Sequence, residues 1–227
     1  MLNDNQNPVL HPAIVRITHW TWALGVLLLV GSGLRIYESD PVFEQVSFPV
    51  WITLGGSYED TNKLHNDFGL AAALLWHFAA MWLLFASLTV FAAWGFWSGH
   101  FRRRYVPVTI AEVIGNATDF LKGHLAHDLG TRNAIQKLLY AFALLMMVLM
   151  LLSGLVLWKP VQFHELSLLM GQYEGARYVH FFGMVGIVLF LVVHIALTLL
   201  VPKVLLPMIT GRAPPSTATH KMPGASP

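Results

Sequence analysis

Four runs of apolar residues, each long enough to cross a lipid bilayer, constrain the fold of this chain more than any other feature. They cover roughly residues 14–36, 70–98, 135–158 and 178–201. About 20 apolar residues in an α-helix span the hydrocarbon core of a membrane. The chain is 56% hydrophobic and 11% charged, far more apolar than a soluble domain. We therefore predict an all-α membrane protein, a bundle of four transmembrane helices.

The charges between these runs predict the orientation of the bundle. Basic residues concentrate in residues 99–137 and after residue 201, and Arg16 lies at the start of the first run, whereas acidic residues concentrate in residues 37–69 and 159–177. Loops on the cytoplasmic side of a membrane carry an excess of Lys and Arg. Both termini are therefore predicted to be cytoplasmic. The three arginines at 102–104 lie beside a span, so we interpret them as a topology signal and predict no binding of nucleic acid.

The rest of the chain leaves room for a single domain. We predict a membrane domain over residues 1–210 and a disordered tail over residues 211–227, which is rich in Pro, Gly and Ser. Thr109 and Glu112 have the spacing of a capping box, which predicts a short helix at the membrane surface. The absence of cysteine excludes disulfides, iron–sulfur ligation by thiolates and covalent haem attachment through C-x-x-C-H.

Two histidines in the fourth run, His180 and His194, indicate a cofactor site. An ionisable ring inside a membrane is costly and its default interpretation is functional. Over this spacing an α-helix rises about 21 Å and returns to nearly the same face. Imidazole is a standard axial ligand of haem iron, so the spacing predicts two haems, one near each membrane face. Two hydrogen-bonded core histidines are the alternative.

Depth in the membrane selects His19 as the partner of His194. His19 follows Arg16 closely and His194 precedes Lys203 closely, so both histidines lie near the cytoplasmic boundary. We predict that this inner pair binds one haem.

Residues counted from the cytoplasmic boundary of each run place His77 at nearly the same depth as His180, so we select His77 as its partner. On a continuous helix His65 would lie about 18 Å farther out than His77, beyond the hydrocarbon core. We therefore predict that His77 and His180, the outer pair, bind the second haem. A tilted or broken helix would leave His65 as the alternative ligand.

Haem propionates are acidic and need basic partners. Arg35, Lys159 and Arg177 lie at outer helix ends, and Arg16 and Lys203 at inner ones. We take Arg16, Arg35 and Arg177 as candidate cofactor-binding residues. The alternative is that these side chains only extend to the membrane surface.

Two similar segments, GSGLRIY at 31–37 and LSGLVLW at 152–158, end the first and third runs. Small residues let a helix approach its neighbour closely. Gly33 and Gly154 therefore favour close approach of either a bulky flat ligand or a neighbouring helix.

The motifs HPAIVRITHW, WHFAAMW and VHFFGM followed by VVH resemble the bacterial cytochrome b561 family, which includes the b-type subunits of nickel–iron hydrogenases. The resemblance covers nearly all of residues 11–212. It rests on Arg16, His19 and Trp20 in the first run, His77 followed by Phe78 in the second, and the two histidines of the fourth. The resemblance implies bis-histidine haem b, a bacterial inner membrane and electron exchange with quinone.

The segments FPVWITLGG, WKPVQ, ARYVHFF and PMITGR resemble, more closely, a subgroup found with periplasmic molybdopterin-dependent oxidoreductases. The resemblance implies an electron-transfer subunit that links such an enzyme, or a hydrogenase, to membrane quinone. The chain departs from this subgroup in the segment between LGG and WHF, around residues 57–75, which is longer here. The alternatives are a stand-alone quinone-linked superoxide oxidase or a ferric reductase, and a homodimer is left open.

Overall fold

Helices make up the fold. The computed structural model describes residues 11–55, 68–101, 134–200 and 205–212. The long helices are α1 (Ala13–Tyr37), α2 (Phe68–Trp97), α3 (Ala134–Trp158) and α5 (Gln172–Leu200). The short elements are a 3₁₀ turn (Val50–Ile52), α4 (His164–Leu169) and α6 (Leu205–Thr210). His65, the helix predicted at Thr109 and residues 213–227 of the predicted tail lie outside the described residues.

The four long helices are long and apolar enough to cross a membrane, which confirms the predicted class of fold. The shortest of them have 25 residues, about 37 Å of helix, against a hydrocarbon core of about 30 Å. Many of their large apolar side chains are exposed in the isolated chain; Leu75 is 74% exposed and Leu189 64%. In a bilayer these side chains would face lipid, so their exposure agrees with a membrane location.

Helix α5 begins about two turns earlier than the apolar run predicts. Its first turns contain Tyr173, Glu174 and Arg177, which are too polar to be counted in an apolar run. The helix therefore carries charged groups at the end nearest His180.

The closest backbone approaches join the helices in two pairs, α1 with α2 and α3 with α5. Glycines mark both contacts. A Cβ on Gly25 of α1 would lie 3.9 Å from the Ala80 carbonyl oxygen of α2. A Cβ on Gly183 of α5 would lie 2.7 Å from the Met150 sulfur of α3. Small residues allow such close packing in membranes, so the bundle consists of two tight pairs that face each other.

The loop that follows α1 folds back against the helices. The Tyr37 hydroxyl donates to the Phe43 carbonyl oxygen at 2.9 Å, and the Tyr37 ring stacks on Phe181 of α5 at 5.3 Å between centroids. The Leu54 amide donates to the Gly31 carbonyl oxygen of α1 at 2.9 Å. These contacts hold the loop against α1 and α5 at one end of the bundle.

The end of the described chain lies against the start of α1. Arg16 Nη1 donates to the Ile209 carbonyl oxygen at 2.6 Å, and Trp20 Nε1 donates to the Met208 carbonyl oxygen at 3.2 Å. Helix α6 is thereby fastened beside His19 at the other end of the bundle.

Candidate functional site

Four histidines from three helices lie together as two pairs. The ring centroids of His19 on α1 and His194 on α5 are 6.2 Å apart. The centroids of His77 on α2 and His180 on α5 are 6.3 Å apart. The ring planes in each pair are tilted by 57°. The structure therefore brings together the two pairs that the depth count selected, one toward each end of α5.

Each pair leaves room for a metal ion between its rings. A bond from a first-row metal to an imidazole nitrogen is about 2.0–2.1 Å, so an ion midway between two rings would separate their centroids by about 6 Å. Within the described residues no group of three or more His, Asp or Glu side chains could hold an ion. Two imidazoles alone leave most coordination positions of a metal open. The donor set therefore fits a metal whose other ligands come from a macrocycle, as in haem.

A cavity of about 480 Å³ lies between the four long helices and reaches the rings of His77 and His180. This volume is within the range of small-molecule and cofactor sites, about 300–1,000 Å³. We call it the four-helix cavity. Its walls are largely apolar and include Met81, Phe78, Trp158, Phe181, Met184 and Ile187.

Glycines from two helices also line the four-helix cavity. A Cβ on Gly33 of α1 would lie 3.4 Å from His77 Cε1, and a Cβ on Gly154 of α3 would lie 3.5 Å from His180 Cε1. Any larger side chain at either position would project into the cavity or against the imidazole. The structure thus places both predicted glycines beside the histidines and at the space that a flat ligand needs.

Serines next to these glycines contact the same histidines. Ser32 Oγ lies 3.0 Å from His77 Nδ1, and Ser153 Oγ lies 2.9 Å from His180 Nδ1. Both serines are fully buried. Sequence reasoning missed them, although they belong to the two segments whose glycines it singled out.

The His19–His194 pair has a different environment, formed by aromatic rings. Trp20 makes an edge contact with His19, with centroids 5.2 Å apart, and Phe190 stacks on His194 at 5.5 Å. His19 Nδ1 is buried and has no hydrogen-bond partner within the described part of the chain.

The three candidate arginines lie in different places. Arg177 lines the four-helix cavity and forms ion pairs with Asp40 at 3.1 Å and Glu174 at 3.0 Å. Arg35 is buried, 5% exposed, and packs against Gly69. Arg16 is held by the Ile209 carbonyl oxygen near His19. Their roles toward propionates remain predictions, and Lys203 lies outside the described residues.

The fold and the paired histidines define a membrane-embedded helical bundle that fits b-type haem. The model of the prokaryotic cytochrome b561 family matches residues 10–211 of the chain. The chain belongs to that family. It is therefore a multi-pass membrane protein of the bacterial inner membrane that binds b-type haem and takes part in electron transport.

A similar protein comes from Azospira oryzae. It is 42% identical over 203 residues, which cover 89% of this chain and 96% of the relative. That protein carries the name of a protein-methionine-sulfoxide reductase subunit, YedZ1.

Proposed function

We propose that the chain binds two haem b groups and carries electrons through them between membrane quinone and a periplasmic redox enzyme. His19 and His194 would ligate the inner haem, and His77 and His180 the outer haem. The observation that carries this proposal is the presence of two histidine pairs, each with space for one ion, at two levels of one bundle. The spacing of the ligands on α5 puts the levels about 21 Å apart along the axis.

The chain's own residues would place and enclose the cofactors. A bound haem supplies a one-electron iron couple whose potential the surrounding protein adjusts. Two imidazoles at each level occupy both axial positions of a porphyrin iron, so the site favours electron transfer over binding of O₂. The largely apolar walls around His77 and His180 would limit the access of water to a haem bound there.

The charge pattern supports an orientation with both termini in the cytoplasm. In that orientation the His77–His180 pair and the mouth marked by Arg177 lie toward the periplasm. The His19–His194 pair lies toward the cytoplasm. Electrons would then cross most of the bilayer within one chain.

The relative's name, that of a protein-methionine-sulfoxide reductase subunit, supports an oxidoreductase as the partner. We propose a molybdopterin-dependent enzyme of the kind that the sequence resemblance implies. The loop after α1 is a suitable contact surface, because Tyr37, Phe43 and Phe181 fasten it at the outer end of the bundle. Trp51, in the 3₁₀ turn of this loop, is 85% exposed.

The test is the haem content and visible spectrum of the purified full-length protein. We expect two haems per chain by pyridine haemochrome and a b-type reduced-minus-oxidised spectrum. One haem per chain, or colourless protein, would contradict the proposal. The partner is tested by copurification with the periplasmic enzyme. Steady oxidation of superoxide by the isolated chain, with quinone as acceptor, would instead favour the stand-alone oxidase.

A further inference from the structure

Two serine–histidine contacts set the outer pair apart from the inner pair. We propose that Ser32 and Ser153 are positioning residues that fix the tautomer and the ring orientation of His77 and His180. Each serine would leave Nε2 as the nitrogen that ligates the outer haem. This inference rests on the proposed function, since it concerns how the chain prepares two of the four proposed ligands.

The direction of each hydrogen bond follows from the number of protons available. Ser32 Oγ donates to the Leu28 carbonyl oxygen at 2.6 Å, and Ser153 Oγ donates to the Leu149 carbonyl oxygen at 2.8 Å. A hydroxyl has one proton to donate, but its oxygen also accepts. With that proton directed at a backbone carbonyl, each serine would accept from Nδ1–H of the histidine, which is the tautomer that the proposal requires.

A donating Nδ1 determines the state of the other ring nitrogen. Neutral imidazole carries a single N–H, so Nε2 keeps a free lone pair. Histidines that bind metals usually donate their second nitrogen to a fixed acceptor, which sets the tautomer and the ring orientation. His77 and His180 are thus held in the tautomer that ligation through Nε2 requires.

The glycine after each serine leaves space for the same ring, because a Cβ at either position would lie 3.4 or 3.5 Å from the imidazole. Gly33 lies beside Cε1 of His77, and Gly154 lies beside Cε1 of His180. Cε1 is the ring atom between Nδ1 and Nε2. Each imidazole edge therefore meets a serine hydroxyl at hydrogen-bond distance and, beside it, a position with no side chain to displace the ring. In both cases the serine and the glycine lie on the helix that pairs with the histidine's own helix, α1 for α2 and α3 for α5.

The inner pair provides an internal comparison. His19 Nδ1 has no acceptor within the described residues. An acceptor on Nδ1–H makes an imidazole a stronger electron donor to its metal. Such a ligand stabilises ferric iron and lowers the potential of its haem. The serines should consequently lower the potential of the outer haem and leave that of the inner haem unchanged.

The experiment compares Ser32→Ala, Ser153→Ala and the double variant with wild type as purified full-length proteins. Alanine is a good helix former and smaller than serine, so the fold should be retained. The control is Ser87→Ala, because Ser87 Oγ donates to the Leu84 carbonyl oxygen of its own helix at 3.0 Å and lies about 15 Å along α2 from His77. Measurements are haem content, redox titration and the low-temperature EPR spectrum of the ferric haems.

We expect both single variants to raise the midpoint potential of one haem, with a larger shift in the double variant. The EPR signal of that haem should change as well, because its axial rings are less constrained. The affected haem should be the one that His180→Ala removes, and Ser87→Ala should match wild type. Loss of that haem alone in the double variant would also support the inference.

Two results would overturn the inference while leaving the proposed function intact. One is a double variant with two haems whose potentials and EPR spectrum match wild type. The other is a shift confined to the haem that His19→Ala removes. Wild-type protein with fewer than two haems would instead show that the proposed function itself had failed.

Discussion

Arg177 on α5 and Asp40 beyond the end of α1 join the two helix pairs at the mouth of the four-helix cavity. Arg177 Nη2 lies 3.1 Å from an Asp40 carboxylate oxygen and donates to the Asp40 backbone carbonyl at 2.8 Å. The Asp40 side chain is 77% exposed, whereas that of Arg177 is 17% exposed. Only the carboxylate contact depends on the Asp40 side chain, whereas the backbone contact would remain after a substitution there.

This relationship predicts unequal effects of substitution on stability. Asp40→Asn should cost less than about 1 kcal/mol, because an exposed ion pair contributes little and the backbone acceptor remains. Arg177→Gln should cost roughly 1–3 kcal/mol, because it removes hydrogen bonds from a charged donor that is mostly buried. Thermal unfolding in one detergent, followed by circular dichroism, measures both. Equal destabilisation by the two changes would contradict the prediction.

Substitution of single histidines should remove single haems. His77→Ala and His180→Ala should each leave only the inner haem, and His19→Ala and His194→Ala only the outer one. The double variant His77→Ala/His194→Ala should bind none. Pyridine haemochrome assays measure the content. His164→Ala is the control, since His164 is exposed on α4 and should keep both haems. Two haems in His77→Ala would favour His65 as the ligand.

The size of the side chain at position 154 should control how much haem binds between His77 and His180. Gly154→Ala adds a Cβ at ordinary contact distance from His180 Cε1, so we expect weakened but measurable haem binding. Gly154→Leu would fill part of the four-helix cavity and should abolish binding there while the inner haem remains. Spectral titration with added haem distinguishes the two variants. Full occupancy of both sites in Gly154→Leu would be inconsistent with this prediction.

The contact between Gly183 and Met150 should decide how closely α3 and α5 pack. Gly183→Ala places a methyl group 2.7 Å from the Met150 sulfur, and because the flexible methionine can shift, we expect a loss of about 1 kcal/mol, the low end for overpacking. The double variant Gly183→Ala/Met150→Ala should recover part of that loss, because the smaller side chain makes room. The melting temperatures of the two single variants and the double variant form the test. If the stability changes of the two single variants simply add up in the double variant, residues 183 and 150 are not in direct contact.

The four membrane helices could be predicted from the sequence because a helix that spans the lipid needs an apolar run of about 20 residues. The proximity of His77 to His180 could be predicted as well, since charged residues mark the membrane boundary and the helical rise converts residue counts to depth. Both steps use local pattern and simple geometry. Neither step requires knowledge of which helices are neighbours.

The details that sequence reasoning missed depend on contacts between distant residues. The Ile209 carbonyl that holds Arg16 belongs to a helix at the far end of the chain. The sequence predicts Arg35 as a cofactor-binding residue at an outer helix end, but not its burial, which follows from the approach of α2 at Gly69. The roles proposed for Ser32 and Ser153 depend on contacts between α1 and α2 and between α3 and α5. The pattern of apolar residues along one helix does not predict contacts between side chains on different helices.

The division of the bundle into two tight helix pairs has a consequence for biogenesis. Each pair has its own close packing and can form as soon as its two helices have entered the bilayer. The histidines of α5 must then meet those of α1 and α2 across the gap between the pairs, which the proposed cofactors would fill. The proposed cofactors would accordingly strengthen the weaker of the bundle's two kinds of interface, the one between pairs, so protein made without haem should lose the arrangement of the pairs before it loses the pairs themselves.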